Sequence, residues 1–287
     1  MPTSPLITAA GLQALLAAGT PPQIVDCSFD LADPGAGERL HTQARLPGAL
    51  YLHLDHHLSG AKNAPGLSGG RHPLPTREAF AATLGAQGLR NDQAIVVYDQ
   101  AGGMYAARAW WMLRWLGHAA VQVLDGGIGA WQAAGGALHS GPPATGPARP
   151  AFALQAPLEA TLDYATLRAE LGTPGRLIVD ARAPDRFRGE NETLDPVGGH
   201  IPGALNRVFR LNLGAEGAFK PAAQLRAEWL ALMAGRPAHA LVMQCGSGVT
   251  ACHNLLALQA AGLDGARLYP GSWSEWCRQP DAVVATG

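Results

Sequence analysis

In the second half of the chain an apolar run, Leu241-Val242-Met243-Gln244, ends at Cys245 and passes through Gly246-Ser247-Gly248-Val249-Thr250-Ala251 into a helical pattern. This spacing puts one thiol at the carboxyl end of a strand, facing a turn of backbone N–H groups and a helix N-terminus. Both features stabilise negative charge. A thiol there is a candidate nucleophile as the thiolate, not an inert buried side chain. Gly246 and Gly248 tolerate positive φ and let loop amides turn inward. Ser247 adds a hydroxyl, and Val249 and Thr250 open the helix. Cys27, Cys252 and Cys277 have no comparable loop and read as small buried apolar side chains.

The loop restricts the chemistry. A cysteine phosphatase cradle needs an arginine six residues after the cysteine to fork onto a phosphate dianion. Ala251 occupies that position. A compact loop without the arginine suits a single negative charge on sulfur, as in a cysteine persulfide. No C-x2-C pair is matched by a second ligand pair, and no metal is expected. His53, His56 and His57 cluster on an irregular stretch and read as solvated.

Those elements sit in a chain of 287 residues that is 47% apolar, enough for one or two packed domains, with two favoured. The formal charge is −1 with no basic block, which argues against a nucleic-acid surface and against a polybasic membrane surface. No apolar run approaches the roughly 18 residues of a membrane span. The N-terminal residues lack a basic stretch followed by an apolar one, so no secretory signal is expected. Four cysteines in a chain of this length do not make a disulfide framework, and a cytoplasmic setting is expected.

The chain repeats itself once. Gln23-Ile24-Val25-Asp26 recurs as Leu177-Ile178-Val179-Asp180, and Leu46-Pro47-Gly48-Ala49-Leu50 recurs as Ile201-Pro202-Gly203-Ala204-Leu205. Ala94-Ile95-Val96-Val97-Tyr98-Asp99 matches Ala240-Leu241-Val242-Met243-Gln244-Cys245, and Val123-Leu124-Asp125-Gly126-Gly127 matches Leu268-Tyr269-Pro270-Gly271-Ser272. Four matches in one order mean two homologous halves. The offset between the halves shrinks after the second match, so the first half carries a longer loop between Leu50 and Ala94; it holds Asp55, His56, His57, Arg71 and His72. In the second half, 176–180 and 240–244 read as buried strands. Residues 164–171, 222–234 and 250–262 read as helices, with Gly262 ending the last. Alternation of this kind predicts α/β architecture: parallel sheets with helices on both faces and ligands outside the strands' carboxyl ends. Between the halves, 141–150 is rich in Pro and Gly and reads as an extended linker.

On these motifs the chain resembles the two-domain rhodanese-like sulfurtransferases over almost its whole length. The loop Cys245–Ala251, Gly199-His200-Ile201-Pro202-Gly203-Ala204, Val179-Asp180-Ala181-Arg182 and Leu268-Tyr269-Pro270-Gly271-Ser272-Trp273 carry the resemblance, with Ala109-Trp110-Trp111-Met112 and Leu124-Asp125-Gly126-Gly127 in the first half. The resemblance implies tandem rhodanese-like domains: 1–138 non-catalytic with Asp99 at the cysteine position, 139–157 a linker, and 158–287 catalytic. It implies sulfur transfer through a Cys245 persulfide held by the amides of Gly246, Gly248, Val249 and Thr250, with no cofactor.

Family members that prefer thiosulfate carry cationic residues just after the cysteine. Gly246 and Ser247 here resemble the 3-mercaptopyruvate form instead, in which Ser247, His72 and Asp55 would relay a proton to the departing enolate. The resemblance also makes Arg186 the donor-binding arginine, with Arg188 a further candidate. The mercaptopyruvate form has a second arginine shortly after this motif. The stretch Glu190–Gly198 has none, which leaves Arg188, Arg71 or Arg207 to supply it. The expected partners are a small sulfur donor and a thiol or cyanide acceptor, with thioredoxin among the thiols. Thiosulfate as the main donor, a persulfide carrier without turnover, and a cysteine phosphatase are the alternative readings.

Overall fold

The structure is a computed structural model that describes residues 4–62, 64, 69–143 and 150–287. Residues 144–149 of the expected linker lie outside the described residues. The chain divides into two compact units. One comprises Met1–Ser59, Pro75–Leu158 and Gly214–Phe219, and the other Gly60–Leu74, Glu159–Leu213 and Lys220–Gly287. The segment Gly60–Leu74, part of the long first-half loop, thus packs with the second unit.

The first unit runs β1 (Leu6–Ile7), α1 (Ala9–Ala17), β2 (Gln23–Asp26), α2 (Ala36–Gln43), β3 (Leu50–Tyr51), α3 (Arg77–Ala86), β4 (Ile95–Tyr98), α4 (Met104–Trp115), β5 (Val121–Leu124) and α5 (Gly127–Ala133). Its five strands are ordered β1-β5-β4-β2-β3, and every pairing is parallel. Successive side chains on a strand face opposite ways. Ile24, Val96, Tyr98 and Leu124 pack with Leu12, Ile128 and Trp131 of α1 and α5. The alternate residues Val25, Ile95, Val97 and Val123 are equally buried, with α4 packed on β4 and β5. Both faces are therefore covered, which is why these strands are continuously apolar.

The second unit runs α6 (Tyr164–Ala169), β6 (Leu177–Asp180), α7 (Pro184–Arg188), β7 (Leu205–Asn206), α8 (Ala222–Met233), β8 (Leu241–Gln244), α9 (Thr250–Ala260), β9 (Arg267–Leu268) and α10 (Ser272–Trp276). Its parallel sheet is ordered β7-β6-β8-β9, the same order as β3-β2-β4-β5 in the first unit. Ile178 and Val242 face Leu167, Phe187, Trp273 and Trp276, while Leu177, Val179, Leu241 and Met243 are buried on the opposite face. The strands and helices expected from the sequence are all present, with ends shifted by up to two residues. Gly262 adopts φ 68°, the left-handed conformation that stops α9 just past its cap, Ala261.

The order β7-β6-β8-β9 places the functional crevice. From β6 the chain moves outward to β7, and from β8 it moves the opposite way to β9. The reversal point of such a sheet leaves a crevice at the strand carboxyl ends. Asp180 is in register with Gln244, and Ala181 N–H donates to Gln244 O at 2.9 Å. The chain segments leaving β6 and β8 therefore start side by side. One leads into α7 with Arg186, and the other begins at Cys245.

Candidate active site

Cys245 is 2% exposed, in the turn between β8 and α9. The carbonyls of Cys245 and Gly246 accept from the N–H groups of Trp273 and Ser274, both at 2.9 Å. In a trans peptide the carbonyl and the following N–H point opposite ways. The N–H groups of Gly246 and Ser247 are thus turned away from α10. Gly248 O accepts from Cys252 Sγ at 3.3 Å, which turns the Val249 N–H away from Cys252. Gly248 has φ 76°, and a methyl group placed on it would meet Pro270 O at 2.5 Å. No side chain fits there without moving the loop. Cys245 N–H is itself taken by Ser272 Oγ at 3.1 Å, and Ser272 holds φ 53° while fully buried. The result is a turn of inward N–H groups leading into the eleven-residue helix α9, whose positive end favours an anion on sulfur.

Ser247 is two residues past Cys245 and 6% exposed, and its Oγ lies 2.8 Å from His72 Nδ1. His72 is 3% exposed. The contact exists because residues 69–71 are pinned onto α10 and its cap, Gly271. Gly69 N–H donates to Glu275 Oε1 at 2.6 Å, and Arg71 N–H to Ser274 Oγ at 2.9 Å. Gly70 lies flush with Gly271, where a Cβ would meet Gly271 O at 2.7 Å. A buried hydroxyl–imidazole pair beside a thiol has the geometry to pass a proton to a group leaving the thiol.

Arg186 projects from α7 and forks onto Glu192, Nε to Oε2 at 3.0 Å and Nη2 to Oε1 at 2.8 Å. Its Nη2 is also 3.5 Å from Asp195. Arg71 Nη1 donates to Asp195 Oδ1 at 2.9 Å and to Leu194 O at 3.2 Å. Arg278 reaches the same Asp195 oxygen at 3.4 Å. Arg182 forks onto Asp180, touches Glu192 at 3.4 Å and stacks on Trp273. At Gly246 a methyl group would meet Arg71 Nη2 at 3.1 Å and Arg186 Nη1 and Nη2 at 3.7 Å. Two guanidinium groups thus border the space that a side chain immediately after the cysteine would enter. The stretch that lacks the family's second arginine instead supplies Glu192 and Asp195 to hold these two. Sequence reasoning missed both carboxylates, along with Ser272, Ser274 and Glu275. The signal available was an acidic pair, 192 and 195, directly after an arginine-bearing motif.

Arg188 and Arg207 lie elsewhere. Arg188, two residues past Arg186 on a short helix, faces outward and forks onto exposed Glu190 at 2.7 and 2.8 Å. Arg207 stacks on Trp229 and pairs with Glu228 at 2.9 Å. Val249 precedes α9 as its cap residue and is buried; Thr250 is half-buried at the first helical position. Asp55 belongs to the first unit, where its N–H donates to His53 Nδ1 at 3.1 Å. His57 Nδ1 accepts from His53 N–H at 2.8 Å, and His53 stacks on His56, so these rings bind one another and the backbone. No group of three His, Cys, Asp or Glu side chains suited to a metal occurs among the described residues.

The matching loop of the first unit carries a fixed anion of its own. Asp99 is 1% exposed and accepts N–H bonds from Ala101, Gly103, Tyr105 and Ala106 at 2.7–2.9 Å. Burial pushes its carboxyl up while the four N–H bonds pull it down, with burial the larger effect. Cys27, at the end of β2, has no cradle: burial, then Asp26 and Asp99, push its thiol well up and keep it protonated.

A rhodanese-like domain model matches residues 8–134 and 163–279. The chain is 49% identical, over the full length of both chains, to a probable 3-mercaptopyruvate sulfurtransferase of Pseudomonas aeruginosa. It is 39% identical to a putative thiosulfate sulfurtransferase, SseB, of Mycobacterium tuberculosis, over 98% of this chain and 97% of the other. Among solved structures it is similar to SseA of Escherichia coli, a 3-mercaptopyruvate sulfotransferase, with a TM-score of 0.76 at 30% identity, covering 95% of this chain and 100% of that one. No helix among the described residues is long and apolar enough to cross a membrane. With the domain model matched twice and the cysteine loop at the reversal point of the second sheet, the chain belongs to the rhodanese-like family and is a sulfurtransferase.

Proposed function

We propose that the protein moves the sulfur of 3-mercaptopyruvate through a persulfide on Cys245 to a thiophilic acceptor. The Cys245 thiolate attacks the donor sulfur and forms the S–S bond. The donor's C–S bond breaks, and its electron pair leaves on carbon as the enolate of pyruvate. Ser247 delivers the proton that converts the enolate to pyruvate, and His72 Nδ1 orients and reprotonates Ser247. The persulfide loses its proton and rests among the inward N–H groups of the loop. Cyanide, a small thiol or reduced thioredoxin then attacks the outer sulfur and restores the thiolate. The electron pair taken by the donor's carbon balances the oxidation of its sulfur, and the acceptor's attack returns the S–S pair to Cys245, so the proposed steps call for no separate redox cofactor. Asp55 keeps the relay role that the family resemblance assigns it, and Arg186 that of binding the donor. The first repeat, 1–138, is proposed as non-catalytic because Asp99 already fills its cradle. Catalysis is assigned to 158–287 beyond the 139–157 linker, completed by the Gly60–Leu74 segment, in a cytoplasmic setting where acceptor thiols stay reduced.

The observation that carries this reading is the 2.8 Å contact between His72 Nδ1 and Ser247 Oγ beside Cys245. Sulfite leaves thiosulfate without needing a proton, whereas the enolate of pyruvate needs one. The name of the Pseudomonas aeruginosa relative supports the same donor. The test is a stoichiometric reaction with 3-mercaptopyruvate, followed by mass spectrometry of the Cys245 peptide and measurement of pyruvate. One sulfur gained per pyruvate released is expected, with neither from Cys245→Ser. A kcat/KM for thiosulfate above that for 3-mercaptopyruvate would overturn the donor assignment.

A further inference from the structure

The first four residues of α10 each hold a different part of the site. Ser272 Oγ takes the Cys245 N–H at 3.1 Å. The Trp273 N–H is on Cys245 O, its indole Nε1 donates to Val197 O at 2.8 Å, and its ring lies under Arg182. The Ser274 N–H is on Gly246 O, while its hydroxyl donates to Gly271 O at 3.2 Å and accepts from Arg71 N–H at 2.9 Å. Glu275 Oε1 accepts from Gly69 N–H at 2.6 Å. We infer that Ser274 and Glu275 are positioning residues of the proton relay. They fix residues 69–71 on α10 so that His72, next in the chain, reaches Ser247, and they thereby favour a donor whose leaving group must be protonated. The inference rests on the donor reading above.

The first repeat shows that the fold itself does not need these groups. Continuing the match of Gly126-Gly127 with Gly271-Ser272, Ile128-Gly129-Ala130-Trp131 falls opposite Trp273-Ser274-Glu275-Trp276. Helix α5 thus forms from the equivalent stretch with no polar side chain in its first four positions. The left-handed position held by Gly127 at φ 58° is taken in the second repeat by Ser272 at φ 53°, a conformation that a side chain makes costly. Glu275 is 8% exposed, and no lysine or arginine among the described residues pairs with it. Burying an unpaired carboxylate also opposes folding. Gly271 has an ordinary helical φ of −64°, yet a methyl group on it would run into Glu275 Oε2 and Gly70 lies against it. Its missing side chain makes room for Glu275 and for the docked segment. Unfavourable features gathered on one short helix, and missing from its twin, belong to the building of the site.

Glu275→Ala puts at this position the residue that α5 carries there, and Glu275→Gln keeps an oxygen for the Gly69 N–H. In Glu275→Ala the ratio of kcat with 3-mercaptopyruvate to kcat with thiosulfate should fall about 10- to 100-fold, as for loss of a hydrogen bond to a charged group. Glu275→Gln should recover most of the ratio, and Ser274→Ala should lower it in the same direction. A second readout needs no turnover. His72 is 3% exposed, so diethyl pyrocarbonate should modify it slowly in the wild type. Mass spectrometry of the His72 peptide should find modification at least about tenfold faster in Glu275→Ala, and near the wild-type rate in Glu275→Gln. Unchanged protection of His72 in both Glu275→Ala and Ser274→Ala overturns the proposal. Protection lost with an unchanged donor ratio overturns the claim on donor choice. If wild-type protein fails to use 3-mercaptopyruvate while protection of His72 still depends on Glu275, the donor reading falls and the docking role stands. Thermal melting identifies any variant that fails to fold, and Ser274→Ala, which removes one oxygen, keeps the test open if Glu275→Ala does.

Discussion

Ser247→Ala removes one oxygen, the partner of His72 Nδ1 at 2.8 Å. Both residues are almost completely buried, so water does not readily replace the lost hydroxyl. The effect on folding is that of one buried hydrogen bond, about 1 kcal/mol. The effect on catalysis should be larger. Loss of a positioned proton donor typically slows a reaction about 10²- to 10⁴-fold, or roughly 3–5 kcal/mol in the barrier. That difference separates a chemical role from a structural one. We expect kcat with 3-mercaptopyruvate to fall at least about 100-fold. With thiosulfate it should change by less than about threefold, because the cradle around Cys245 is intact and sulfite needs no proton. His72→Ala should reproduce the selectivity, and the double variant should be no slower than the worse single one, since the pair acts as a unit. Steady-state rates with both donors, corrected for folded fraction, make the measurement. Equal losses with the two donors, or additive losses in the double variant, would refute the relay and reduce the contact to packing.

Gly248→Ala should damage both reactions alike: φ 76° disfavours a side chain by about 1–2 kcal/mol, and the methyl would press on Pro270 O at 2.5 Å. A melting temperature lower by several degrees and matched losses with both donors are expected. Asp99→Asn sets an amide N–H2 against N–H groups that now donate to a carboxylate. A loss of about 2–4 kcal/mol, read as a lower denaturant midpoint, should follow. His57 is held down to about 4 by burial and then by His53 and His56, against an ordinary 6.5. Its neutral ring is favoured by the fold, so its contribution is complete above about 6.5 and is lost as pH falls towards 4. Urea midpoints measured from pH 7 to pH 4 should therefore drop less steeply in His57→Gln than in the wild type.

Much of the site was legible because strand, loop and helix periodicities are local. The apolar run before Cys245, the glycines after it and the internal repeat each follow from neighbours in sequence, and the matching of Asp99 to Cys245 needs only alignment of the two halves. The arginine question was not legible. Whether Arg71, Arg188 or Arg207 stands beside the cysteine depends on which side of a short helix a residue faces and on where a long loop packs. Arg188 falls on the outer side of α7 with Glu190, and Arg207 is taken by Trp229 and Glu228. Glu192 and Asp195 looked like a gap in a motif, yet they are the carboxylates that hold Arg186 and Arg71 in place.

By itself, then, the amino-acid order determined a doubled parallel α/β fold and one nucleophilic thiol, because alternation, glycine placement and repetition are written in short segments. Only tertiary structure decided what surrounds that thiol. The reversal of strand order between β6 and β8 sets Arg186 and Cys245 on neighbouring strand ends. The docking of residues 69–71 on α10 delivers His72 and Arg71 from more than 170 residues away in sequence. Such approaches are decided by complementary surfaces, with Gly70 against Gly271 and Gly69 on Glu275, and no local pattern encodes them.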